Sequence, residues 1–422
     1  MAKRKERKSG GSKSPKRIAS KERNSGEIPG RKKLTILQRI VRALPLAVLA
    51  IVFTFVLSRA GVFAELETTI LDTQMRFDLP ATESPVVVVD IGQEDFEEIF
   101  DAKTRPLDPA GLQRLVEAVA AGGPCVAAVD IDTSFEQFNN FNVTDTMSNF
   151  VWSRSSLVTN AENEKLIPLR VLGRDDPVLY SRSGLPLLGD SEKKITRYYS
   201  RTIETTDGPL PSLGWRLFEE SRDRKCPGMT FPDLKQETGS FIIGYSRGPE
   251  GLGRIKIPAK HILTMAASDD WANNDLIRGK IVLIGGSYLN EDRYDTPVGV
   301  MNGVEIHANV VETELRGGGV KPPGLATIIL LQIFDGFLLL GLYQVFTWRK
   351  AALLSVPLIL GFSLVCSFLT YYSFSYWLLF LPVMIGVALT QLFDEVKDHF
   401  RNRYKREIRE GYQNISGHPP EE

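Results

Sequence analysis

Five aspartates stand where an open α/β sheet would bind a ligand. Asp90, Asp130 and Asp132 close two unbroken runs of β-branched and aliphatic residues, Val86 to Ile91 and Cys125 to Asp132, while Asp292 and Asp295 follow a third, Ile281 to Ile284. Runs apolar on both faces read as buried parallel strands, and the ligands of open α/β sheets sit in the crevice beyond the carboxyl ends of such strands. Carboxylates gathered there can hold a divalent cation through oxygen, or a cationic ligand; they can equally cap helices and turns. Gly285-Gly286-Ser287, a tight strand exit, would offer phosphate a backbone cradle but lacks the Lys and the full glycine spacing of a nucleotide loop. His307 stands with Glu305 but in no Cys/His cluster at zinc spacing, so it reads as a packed or hydrogen-bonded helix residue. No metal site, no cofactor and no nucleophile–base pair emerge, and the chain does not read as an enzyme.

A second polar feature lies in apolar surroundings. Asp335 sits midway along LLQIFDGFLLL, with Gln332 one turn away and Gln391 in a later apolar stretch. An ionisable residue at membrane depth is costly unless protonated or paired. An interhelical hydrogen bond holding a bundle or dimer together explains it better than proton or ion transport, because no second intramembrane charge forms a relay.

The elements that must position these residues follow from periodicity. Between the first two strands, Gln93 to Phe100 and Pro109 to Ala121 read as helices, the second with Leu112, Leu115, Val116 and Val119 on one face. Strand, helix, strand at this spacing is a right-handed βαβ unit. Asn302 with Glu305 forms a capping-box start for a helix through Leu315, stopped by Gly317 to Gly319. Leu210 to Leu213 precede an amphipathic helix, and Phe241 to Tyr245 reads as a strand. From Phe135 to Tyr199 the pattern weakens around one apolar piece, Leu166 to Leu172, and no element is assigned. The expected fold is an α/β domain with a mostly parallel open sheet.

GKIVLIG at 279–285, the acidic loop with Asp292 and Thr296-Pro297, and GVEIHAN at 303–309 together resemble the closing signature of the class-two CHASE domain, the cyclase/histidine-kinase-associated sensing extracellular domain. Leu71 to Phe77 resembles that family's entry segment, and Asp207-Gly208 with Leu210 to Leu213 its middle section. The resemblance runs from about Leu66 to Gly319. One departure stands out: Thr104 to Asp108 replaces the tryptophan-containing proline motif expected before the second helix. The resemblance implies a sensor, and in that family the helix after the last span leads to a cyclase or kinase; here no output domain is visible before Glu422.

Charge and hydropathy imply a membrane protein. Residues 1–42 carry 15 Lys+Arg against 3 Asp+Glu, a net of +12, so the remainder is about −12 in a chain of zero net charge. This basic tail has almost no aliphatic content through residue 33 and reads as disordered. A positive-inside flank accounts for it better than nucleic-acid binding, and no nucleic-acid partner is expected. Spans are expected at 43–63, 325–346, 351–371 and 374–393, leaving 64–322 as an extracytoplasmic domain and 394–422 as a cytoplasmic helix and tail. Arg349 and Lys350 hold the connection between the second and third spans inside, and Tyr371, Tyr372, Tyr376 and Trp377 suit an outer interfacial belt. Phe393, Val396, Phe400, Tyr404 and Ile408 mark a narrow apolar seam on the last helix.

Taken together, the expectation is a four-span sensor of the inner membrane, surrounded by lipid, with both termini cytoplasmic. It would act as a homodimer, bind an unknown small molecule or ion, and signal to a separate cytoplasmic cyclase or kinase. The competing readings are an extracytoplasmic enzyme using the aspartate crevice and a scaffold or transport subunit using Asp335. Of the cysteines, Cys366 lies in an apolar span and Cys125 reads as buried filler, so a Cys125–Cys226 bridge is not expected.

Overall fold

The three apolar runs become neighbouring strands of one all-parallel sheet. The computed structural model describes residues 64–77, 83–102, 104–158, 166–188, 195–234, 239–245, 254–320 and 348–374, with isolated positions at 56, 326–334, 377 and 400–408. Helix α1 (Ala64–Arg76) leads into β1 (Val86–Ile91), α2 (Gln93–Glu98), α3 (Pro109–Ala121) and β2 (Val126–Asp130). Then come β3 (Phe150–Ser153), β4 (Ser156–Val158), β5 (Leu166–Pro168), α4 (Pro177–Ser181), β6 (Ser183–Gly184), β7 (Tyr198–Ser200), β8 (Thr202–Thr205) and β9 (Gly208–Pro211). The last part holds α5 (Leu213–Asp223), β10 (Ser240–Ile242), β11 (Ile255–Pro258), α6 (Ala259–Ala266) and β12 (Ile281–Gly286). It closes with the hairpin β13 (Arg293–Thr296) and β14 (Gly299–Asn302), then α7 (Gly303–Leu315) and α8 (Trp348–Phe374).

The sheet runs β11-β1-β12-β2-β3-β6, parallel throughout. Alternation along each strand divides two cores. Val87, Val89, Ala127, Val129, Val282 and Ile284 face α3 and α6, whereas Val86, Val88, Val126, Ala128, Ile281 and Leu283 face α5 and α7. Both faces being covered explains why the strands carry no polar alternation. A third cluster joins Leu71 and Met75 of α1, Tyr199 and Ile242 of β7 and β10, Ile306 and Val310 of α7, and Tyr371 of α8.

Several expectations are met residue for residue. The helix Pro109–Ala121 begins on Asp108, whose carboxylate accepts from the Gly111 N–H at 2.7 Å. At α7 the Glu305 carboxylate reaches back to the Asn302 N–H at 2.9 Å. The structure adds three strands of the main sheet that the sequence reading leaves unassigned, β3, β11 and the two-residue β6. β3 falls in the weakly patterned region, and β11 is four residues interrupted by Lys256. Phe241 to Tyr245 does not join the main sheet; its first residues pair antiparallel with β7.

Cys125 and Cys226 form a disulfide, with Cα atoms 5.6 Å apart, which corrects the expectation of an unpaired Cys125. Past α5, Lys225 adopts a positive φ of 54° and the Cys226 N–H returns to the Ser221 carbonyl at 3.1 Å. That turn folds Cys226 back over the start of β2, where Cys125 precedes the strand. The outer aromatic belt also needs correcting at Tyr371, which is 5% exposed within the third core. The expected spans at 43–63, 325–346 and 374–393 lie largely outside the described residues, as do the basic tail, Asp335, Gln332 and Gln391. The span expected at 351–371 falls within α8. Among the described residues, no helix is long and apolar enough to cross a membrane.

Candidate functional site

Beyond the carboxyl ends of β2, β3 and β12 lies a crevice of about 380 Å³. The order β1-β12-β2 opens it, because the chain leaves β1, crosses over α2 and α3, and returns two strands away. Asp130 ends β2 and Asp132 follows it; Asp292 comes in from the loop after β12, and all three line the crevice. Asp90 and Asp295 do not. The Asp90 carboxylate, one strand over, pairs with the Lys256 ammonium at 3.3 Å and accepts from the Ser287 hydroxyl at 2.9 Å. Asp295 is exposed on β13, and its backbone carbonyl accepts from the Thr196 N–H at 2.7 Å.

The helix α7 supplies the opposite wall. Gly303, its first residue, lets the Asp292 carboxylate approach the helix start, since a Cβ there would lie 2.2 Å from Asp292 Oδ2. One turn on, His307 enters the crevice with Nε2 3.9 Å from Asp130 Oδ2. That distance exceeds a hydrogen bond. The sequence reading treats His307 as structural and misses the crevice tyrosines, Tyr288 and Tyr294. A signal for Tyr294 exists: two residues after Asp292 in extended chain, it shares Asp292's side of the strand.

Burial sets the charge states. The Asp130 carboxyl is held well above the usual carboxylate range by burial, with the negative charge of Asp292 adding to the effect. Burial also raises Asp292, opposed by hydrogen bonds from the Tyr294 hydroxyl and the Gly303 N–H. His307 is pushed down to about 4 by burial, against the pull of its hydrogen bond to the Pro186 carbonyl. The Tyr294 hydroxyl rises to about 12, through burial first and the Asp292 charge second. At neutral pH the imidazole is therefore neutral, and Asp130 is biased toward its protonated form. Among the described residues no group of three or more His, Cys, Asp or Glu is placed to hold a metal ion.

A family model described as the CHASE2 domain matches residues 46–343, covering the sheet, the crevice and α7. The chain belongs to the CHASE2 domain family. No curated protein and no solved structure matches it. CHASE2 domains are extracellular sensory domains, so the crevice belongs to a sensory rather than a catalytic fold family.

Elsewhere in this CHASE2 domain, buried carboxylates are matched by cations or, for Asp95, by the backbone N–H groups of Gly92, Ala259 and Lys260. Arg201 meets Glu314 at 2.8 Å, both essentially buried, with its guanidinium between the rings of Trp215 and Phe241. Arg254 meets Glu312 at 3.0 Å, Lys256 bridges Glu305 and Asp90 at 3.3 Å each, and Arg197 holds Asp72 at 2.8 Å. A second concavity of about 470 Å³ is internally balanced, with Arg154 on Asp207 and Arg170 on Asp175, each at 3.1 Å. Asp130, Asp132 and Asp292 differ: among the described residues none of them has a Lys or Arg partner.

Proposed function

We propose that this chain is a membrane-anchored extracytoplasmic sensor in which α7 carries the state of the crevice to the helices that flank the membrane. The observation that carries this reading is the placement of α7. Its first turns, Gly303 to His307, form a crevice wall, and Ile306 and Val310 share a core with Leu71 and Met75 of α1 and Tyr371 of α8. Every residue from Gly303 to Glu314 is buried, so a shift of the helix cannot be absorbed by solvent. Ligand binding then acts as a population shift between two packings of α7.

The remaining topology is part of the same proposal. Spans at 43–63, 325–346, 351–371 and 374–393 place α1 just outside the first span and the carboxyl end of α8 at the outer surface of an inner membrane. The Cys125–Cys226 disulfide supports an oxidising compartment for the domain. Both termini are cytoplasmic, the unit is a homodimer, and a separate cyclase or kinase reads the last helix, where Phe400, Tyr404 and Ile408 are exposed.

Gly303→Ala tests the transmission. The new methyl group collides with the Asp292 carboxylate at the crevice, while α1 and α8 are untouched by the change itself. Amide hydrogen exchange of the full chain in lipid nanodiscs should change in peptides containing Gln74 and Ser367. A change confined to residues 286–307 would sink the reading.

A further inference from the structure

We propose that the crevice takes an organic ammonium ion, a primary amine or polyamine, held by Asp130, Asp132 and Asp292. The inference rests on the sensor reading above and adds the chemical class of the signal. It starts from charge matching. The other buried carboxylates named above each have an Arg or Lys within 3.3 Å or, for Asp95, backbone N–H donors, whereas these three converge on one cavity with no Lys or Arg partner among the described residues. At the rim, Glu291 is already engaged by Arg105 at 3.4 Å and is not counted with them.

Asp130 is the independent observation. Its side chain is 9% exposed, its exposure opens into the crevice, and it makes no hydrogen bond among the described residues; His307 Nε2 stands 3.9 Å from its Oδ2. A buried carboxyl without a partner is costly, and the cost is removed by a donor that arrives with positive charge. Asp132 accepts the Ser134 N–H through one oxygen and Asp292 accepts from Tyr294 and Gly303, so each is held in place as an acceptor. An anion would meet three acidic side chains with no cation beside them among the described residues, and a neutral polyol would bring no charge to match them.

Shape separates an organic cation from a metal ion. The carboxylates are not grouped as metal ligands among the described residues. The cavity, at about 380 Å³, is far larger than an ion, and Ile131, Leu187, Leu188 and the tyrosines give it apolar and aromatic wall between the acids. An alkyl chain covers that wall while ammonium ends meet the carboxylates. Binding should also draw Asp130 toward its ionised form and release a proton. The other titratable groups lining the crevice are Asp132, Tyr288, Glu291, Asp292, Tyr294 and His307, of which the last is already neutral at pH 7.

Titration calorimetry of the full chain in nanodiscs at pH 7 tests this, with cadaverine and spermidine against sorbitol, glutamate, magnesium chloride and calcium chloride. The expected result is saturable binding of the amines, proton release seen as a heat that depends on the buffer, and at least tenfold weaker binding in Asp130→Asn and Asp292→Asn. Asp90→Asn, outside the crevice, should bind as the wild type does. Thermal melts of the same variants establish that they are folded. No amine binding, binding insensitive to Asp130→Asn and Asp292→Asn, or crevice binding of sorbitol, glutamate or a metal ion instead would each overturn the assignment. Hydrogen exchange with the bound probe separates the two readings. A non-amine probe that binds in the crevice and alters exchange at Gln74 and Ser367 removes the amine but keeps the sensor. Amine binding that leaves those peptides unchanged keeps the amine and removes the transmission.

Discussion

Asp130 and His307 face each other across 3.9 Å, and burial acts on them in opposite senses. The histidine falls from 6.5 to about 4 on folding, so the folded state binds fewer protons than the unfolded one. Stability is fully present above pH 6.5 and declines as pH falls toward 4, by about 3 kcal/mol at most for a shift of this size. Asp130 runs the other way. Its folded pKa lies above 3.8, so the unfolded state ionises first and the native state loses ground as pH rises past that value. His307→Gln should therefore flatten the acid limb between pH 6.5 and 4, and Asp130→Asn should raise the melting temperature at pH 7 with an advantage that vanishes below pH 4. Melting curves across pH 3.5 to 8 decide both. An unaltered acid limb in His307→Gln would assign the acid loss to other groups.

At the level of elements, the disulfide and α7 do different work. Cys125–Cys226 spans a sequence separation of 101 and ties the start of β2 to the end of α5. Closing so long a loop restricts the unfolded chain, and its loss typically costs about 2–4 kcal/mol. A Cys125→Ser, Cys226→Ser double variant should show that loss in denaturant, and reductant should shift the wild type to the same midpoint. A midpoint indifferent to reductant would mean that the bridge does not form in the protein as made. The sequence announces β1, β2, β12, α3 and α7 because strands buried on both faces are unbroken apolar runs and both helices carry caps. It is silent on β3, β11 and the bridge for physical reasons. Phe150–Ser153 is four residues in polar surroundings, Lys256 breaks the apolar run of β11 to serve Asp90 and Glu305, and a cysteine in an apolar run reads the same paired or free. The site follows the same logic. Asp130 and Asp292 are legible from strand ends, whereas His307 enters the crevice only because α7 packs on the sheet face over β1 and β12 with its first turns beside the crevice, a tertiary fact.

Across the whole molecule, the question is whether the crevice and helices α1 and α8 behave as one body. Helices α1 and α8 meet at a buried hydrogen bond, from Gln74 Nε2 to Ser367 Oγ at 2.7 Å, with both residues 0% exposed. The Tyr372 hydroxyl donates to the Gln74 backbone carbonyl at 3.3 Å, and Arg197 ties Asp72 on the same helix to the approach to β7. Removing one partner strands a buried donor, whereas removing both with apolar replacements does not. Ser367→Ala should thus cost about 1–3 kcal/mol, and Gln74→Leu with Ser367→Ala should recover most of it. The double variant is the informative one, because it restores stability without restoring the directional contact. If α1 and α8 are coupled through this hydrogen bond, the double variant melts near the wild type yet fails to pass the Gly303→Ala perturbation from α1 to α8 in hydrogen exchange. Should transmission survive in the double variant, the coupling runs through the packing of Leu71, Met75 and Tyr371 alone, and the polar contact serves only to set the register of the two helices.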